Sequence, residues 1–140
     1  MTANRTFLGS VHRNQPEQFE APAGDTLTPG MLGQVTDDEL VPHVDAGFVY
    51  VIKELTANFA PGGGVNEDYS TGDTAQAYIP TSGEMYRMLV ADAQEIAQDT
   101  PLESNGEGLL VVQDTGDAVC FADEDAGTTD GTTPIRVKFK

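Results

Sequence analysis

The chain of 140 residues predicts a mainly β fold of short strands, with at most one or two short helices. Two observations carry that expectation. The 8 prolines and 15 glycines are spread along the whole length, so apolar runs are repeatedly cut short by turn residues. The runs between them are rich in β-branched and aromatic residues and match the usual strand length of about five or six residues. The length points to one domain, large enough to bury a core.

The first twenty residues are polar. Their few apolar anchors are Phe7, Leu8, Val11 and Phe19, and the stretch 1–20 reads as an N-terminal arm ahead of a single β-rich domain over 21–140. Thr26–Leu32 reads as strand running into a Pro29-Gly30 turn. Proline presets the first turn dihedral and glycine supplies the positive φ of the second, as a type II turn needs. Leu40–Val44 is short and extended around Pro42. Phe48–Leu55 (FVYVIKEL) is the clearest strand. Pro61 and the run Gly62–Gly64 open a loop that reaches about Asp73. Thr74–Ile79 follows as a strand with Ala75, Ala77 and Ile79 on one face. Leu109–Gln113, Ala118–Ala122 and Ile135–Phe139 complete the strands, and Asp123–Thr133 is a loop. One segment reads otherwise: Glu84–Asp99 places Met85, Met88, Leu89 and Ile96 near helical spacing, and by periodicity alone it is a helix.

The charge excludes several functions. Seven Lys and Arg stand against 23 Asp and Glu, for a net charge of −16. Nucleic acid needs a basic stripe and anionic membrane surfaces need basic clusters, so neither is expected as a partner. No apolar run is long enough to cross a bilayer as a helix, and the first ten residues lack the apolar centre of a signal peptide. The single cysteine, Cys120, excludes an intrachain disulfide and a multi-cysteine metal site, and in its AVCFA run it reads as a buried, inert thiol. So many carboxylates with so few lysines fit a protein adapted to molar salt, where the Debye length falls to about 3 Å and self-repulsion is screened.

Catalytic signals are weak. His12 and His43 are the two histidines, and no nucleophile elbow, zinc-binding helix or phosphate loop accompanies them. Gly62–Gly64 lacks the Lys-Ser/Thr that a phosphate cradle needs. Asp123, Asp125 and Asp130 match part of a calcium loop, but Gly127 stands where a ligand belongs and no Glu closes the spacing, so a solvated loop is expected. No catalytic residue, metal or cofactor is expected.

The order of segments resembles the small head decoration, or capsid cement, proteins of tailed viruses of the lambda-D-like kind. The resemblance runs through FLGS, QPEQFEAPAGDTLTPGML, VPHVDAG, Asp68-Tyr69 and Gly72-Asp73, then EIAQDTPLESNGEGLLVV, AVCFADEDA and the closing IRVKF. It spans about residues 6–139; each motif is a weak Pro/Gly turn, and their order is what carries it. Family members carry Gly-Asp before the Leu-x-Ser element, whereas Gln98-Asp99-Thr100-Pro101 stands here, which leaves the form of that turn open. The resemblance implies a small β-barrel or β-sandwich. It also implies strands at Glu84–Val90 and Gln94–Ala97, which are preferred to the helix because propensity is a weak prior.

It further implies a structural virion protein on the outer capsid surface, made in the host cytoplasm. Such a protein bridges major capsid protein subunits as homotrimers at local three-folds, with Phe7, Leu8, Val11 and Phe19 as a capsid-binding arm. Taken with the charge, it implies a haloarchaeal tailed virus. The alternative is a viral turret or spike protein, or an acidic β-domain that recognises carbohydrate or a basic protein.

Overall fold

A computed structural model describes residues 6–9, 17–44, 47–54 and 67–140. In chain order the strands are β1 (Phe7–Gly9), β2 (Glu17–Pro22), β3 (Leu32–Thr36), β4 (Glu39–Pro42), β5 (Tyr50–Ile52), β6 (Thr74–Ile79), β7 (Met85–Val90), β8 (Glu95–Ile96), β9 (Pro101–Ser104), β10 (Leu110–Val112), β11 (Cys120–Ala122), β12 (Gly127–Thr128) and β13 (Thr133–Phe139). No helix occurs among the described residues.

The strands form two sheets that each close on themselves. The first runs β2-β6-β5-β3-β4 and closes where Ala23, just past β2, bridges Leu40 of β4 and the Gly24 N–H donates to the Leu40 carbonyl at 2.9 Å. The second runs β1-β7-β10-β9-β11-β13, and β13 returns to pair with β7 along six residues, Thr133↔Val90 to Lys138↔Met85. A short β8–β12 ribbon lies beside it.

Side chains alternate across a strand, so each closed sheet fills its own interior. Tyr86, Met88 and Val90 of β7 meet Ile135, Val137 and Phe139 of β13, with Leu102, Leu110, Cys120 and Ala122 completing one core. Ala21, Ala75, Ala77, Leu27, Leu40, Tyr69 and Ile52 form the other. The two cores share a wall. Leu89 points away from its own sheet into the second core, while Leu32, Val51 and Tyr78 point back into the first. Backbone hydrogen bonds join the same wall, from the Leu89 N–H to the Gly30 carbonyl (2.9 Å) and from the Leu32 N–H to the Gly108 carbonyl (2.8 Å).

The turns follow their residues. The Met31 N–H donates to the Thr28 carbonyl at 3.0 Å and Gly30 has φ 94°, as a type II turn requires. Asp37 and Asp38, both at positive φ, join β3 to β4 as the two-residue hairpin turn that matches strand twist. The turn before Leu102 forms without glycine: Asp99 adopts φ 66°, which an aspartate tolerates, and the Thr100 hydroxyl accepts from the Ala97 N–H at 3.0 Å.

The helix that periodicity assigns to Glu84–Asp99 is replaced by β7 and β8, the strands that the resemblance implied. The pattern misleads because β7 is buried on both faces: Met88 serves one core and Leu89 the other, so adjacent positions are both apolar. The loop expected at Asp123–Thr133 contains the short β12, and β5 is shorter than the strand expected at Phe48–Leu55, whose last residue lies outside the described residues.

Residues 1–20, read as an arm, enter the sheets at both of their described parts. Phe7 pairs with Tyr86, and Glu17–Pro22 pairs with Thr74–Ile79 across the boundary expected at residue 21.

Candidate functional site

Of the four side chains expected to seat in a capsid subunit, two are engaged within this chain. Phe7 is half-buried, with its ring centroid 5.4 Å from that of Tyr86 and 5.9 Å from that of Tyr78. Phe19 is half-buried against Tyr50 at 5.1 Å. Leu8 is half-buried in β1, and Val11 lies outside the described residues, as does His12. Ahead of Phe7, Thr6 is fully buried, and both its N–H and its hydroxyl donate to Glu54 Oε2, at 3.1 and 2.8 Å. The Tyr78 hydroxyl donates to the other oxygen of that carboxylate at 3.2 Å.

The acidic loop does not gather its carboxylates into one site. Asp123 Oδ2 pairs with Arg136 Nε at 3.1 Å, Asp125 accepts from the Gln98 N–H at 2.8 Å, and Asp130 is exposed. Among the described residues no group of three or more metal-ligating side chains comes together.

Buried phenols and the thiol are held neutral. Burial raises the Tyr69 hydroxyl to a pKa of about 12, and it pushes Tyr78 and Tyr86 higher still, with Glu54 and Glu84 respectively adding to the rise. The Cys120 thiol is likewise raised by burial alone, as its place inside the first core dictates.

A cleft of about 420 Å³ opens where the two barrels meet. Three parts of the chain build it: the loop between β4 and β5, the end of β9, and the loop between β10 and β11. His43 follows β4 because its N–H donates to the Leu32 carbonyl at 3.0 Å, and its carbonyl accepts from Gly108 at 3.0 Å. Its ring is 2% exposed, with Nδ1 3.0 Å from the Ser104 hydroxyl. Glu103, next to Ser104, is half-buried and lines the same cleft. Its Oε2 is buried with no hydrogen-bond donor among the described residues. It lies so close to Gly116 that a Cβ there would come within 2.5 Å of it. Asp117 adds a second carboxylate, Val44, Val49 and Val119 supply apolar wall, and no Lys or Arg lines the cleft among the described residues. Val44 of this lining is 56% exposed, and Phe48, 61% exposed, lies against Tyr50 with ring centroids 5.1 Å apart.

In the sequence His43 stood out only as one of two histidines, and nothing marked Glu103 or Asp117, which are two of 23 acidic residues and are brought to His43 only by the packing of the barrels.

No protein-family model and no curated protein matches this sequence. Among solved structures the chain is similar in fold to the head fiber gp8.5 N base of bacteriophage phi29. The TM-score is 0.54 at 17% sequence identity, over 90% of this chain and 95% of that one. At that identity the likeness is one of fold.

Proposed function

We propose that this chain is a structural protein of a tailed-virus head that attaches to the outside of the capsid and acts by binding. The observation that carries the reading is the extent of the fold likeness. It takes in nearly the whole of both chains, the other being the base of a head fiber. The surface supports it: a −16 charge keeps a particle coated with this protein dispersed. The three buried tyrosines and the buried thiol belong to the cores and offer no reactive group to a substrate.

The finer reading extends this proposal. Copies grouped at local three-folds would bridge major capsid protein subunits, and many weak contacts over the shell would sum by avidity. Within residues 1–20, attachment falls to Leu8 and Val11, because Phe7 and Phe19 pack inside the chain itself. The acidic composition further supports a host living in molar salt, and hence a haloarchaeal virus.

Co-sedimentation of the purified protein with expanded, stripped capsids in molar salt tests the reading. Saturable pelleting near one copy per major capsid subunit is expected. A folded protein that stays in the supernatant would overturn it.

A further inference from the structure

We propose that Asn105-Gly106, in the loop between β9 and β10, is a self-modifying site, where the Asn105 side chain closes onto its own backbone and releases ammonia. Asn105 is the one asparagine of the sequence that glycine follows; Asn4, Asn14, Asn58 and Asn66 precede Arg5, Gln15, Phe59 and Glu67. Ring closure brings the next backbone nitrogen to the side-chain carbonyl carbon, and a following residue without Cβ leaves that approach open. The fold supplies the two aids that such a step needs: donors for the oxygen and an acceptor for the proton.

The donors come from the loop itself. Asn105 Oδ1 accepts from the Glu107 N–H at 2.7 Å and from the Leu109 N–H at 3.1 Å. The Asn105 N–H donates to the Leu109 carbonyl at 2.9 Å, which closes the loop around the side chain. Attack on an amide carbon places negative charge on its oxygen, and backbone N–H groups already aimed at that oxygen stabilise the charge as it forms.

The acceptor reaches the nucleophile. The Gly106 N–H donates to the Ser104 hydroxyl at 3.2 Å, and that hydroxyl lies 3.0 Å from His43 Nδ1. Gly108, in the same loop, donates to the His43 carbonyl at 3.0 Å, so the ring and the loop keep their register. An amide nitrogen is a poor nucleophile until its proton is being removed, and here that proton has a path through Ser104 to a ring nitrogen.

In the tautomer that leaves Nδ1 bare, the steps balance. The Gly106 nitrogen passes its proton to Ser104, whose own proton moves to His43, and the freed electron pair bonds to Asn105 Cγ. The carbonyl pair moves onto Oδ1 and then returns. The Cγ–Nδ2 bond breaks, and Nδ2 takes the relayed proton and leaves as ammonia. Water then opens the resulting succinimide at either carbonyl, giving aspartate or isoaspartate. Each event adds one negative charge to the −16 of the chain. This inference is independent of the capsid reading.

The full chain is incubated in molar salt, and the fragment holding Asn105 is followed by mass spectrometry, which reads the loss of ammonia and then the exchange of NH2 for OH. The same chain unfolded in guanidinium chloride gives the rate of the bare Asn-Gly sequence. The folded chain is expected to react at least about tenfold faster. A folded chain that reacts no faster than the unfolded one would overturn the proposal, because the bonds to Oδ1 would then restrain the amide instead of activating it.

Ser104→Ala, which a melt shows to be folded, is expected to slow the folded chain at least about tenfold and to leave the unfolded rate unchanged. His43→Gln is expected to slow it as well, and to add nothing in the Ser104→Ala background, as two members of one relay should. Ser104→Ala at the rate of the unsubstituted chain, or effects of the two substitutions that simply multiply, would overturn the relay.

Discussion

Glu54 grips Thr6 twice through one oxygen: Oε2 accepts from the Thr6 N–H at 3.1 Å and from its hydroxyl at 2.8 Å. The two residues are 48 positions apart, so the contact ties the start of the chain to the end of β5 and sets Phe7 down on Tyr86. Replacing Glu54 with Gln removes the charge that strengthens both bonds. A loss of about 1–2 kcal/mol is expected, with faster amide exchange in β1 than in β13. Uniform exchange across both strands would show that the latch does not hold β1.

Phe7→Ala is expected to lower unfolding stability by about 2 kcal/mol, because a half-buried aromatic leaves a gap beside Tyr78 and Tyr86. A denaturant melt measures it. An unchanged midpoint would return Phe7 to the role of a free docking side chain.

Three of the four tyrosines are buried, and the fold holds them neutral. The sign follows from linkage. A phenol whose folded pKa is raised contributes stability that is fully present below its ordinary value of 10.0 and is lost as pH rises through the folded value, which for Tyr69 is about 12. Stability is therefore expected to fall from about pH 10 upward, with tyrosinate absorbance appearing together with loss of strand signal. Tyrosinate that formed in a chain still fully folded would contradict this.

Ala93 adopts φ 60° in the turn between β7 and β8, a conformation that costs a residue with a Cβ about 1 kcal/mol. Ala93→Gly removes that cost but adds unfolded-state entropy. The net expectation is a gain of up to about 0.5 kcal/mol, where most substitutions destabilise. A clear loss in a thermal melt would show that the methyl group packs.

The −16 charge predicts a salt-dependent fold. Raising KCl from dilute buffer to molar concentration shrinks the Debye length from tens of ångströms to about 3 Å and screens the self-repulsion. A melting temperature that climbs across that range is expected. A flat response would remove the argument for a halophilic source.

Local chemistry was enough for the fold class and for the strands β4, β5, β6, β10, β11 and β13, but not for β3 or β9, which no run of residues had marked. Thr74–Ile79 has the bounds read from its residues, and Pro29-Gly30 dictated its turn, because strand and turn chemistry is local. The same is true of Cys120, whose apolar neighbours already placed it in a core.

Which faces are covered depends on the packing of the two barrels. Tyr86, Met88 and Val90 alternate as a strand, but Leu89 between them is apolar too, and the helical reading came from that doubling. Its cause is a second barrel lying against the first, a non-local fact that no window of sequence contains. The polar start of the chain is a like case. Its described parts join the sheets through the pairs Phe7↔Tyr86 and Phe19↔Ala77, and Thr6 and Phe7 add side-chain contacts. The cleft follows the same rule. Glu103 stands 60 residues from His43, and only the closing of two barrels against each other sets an unsatisfied carboxylate at the wall they share.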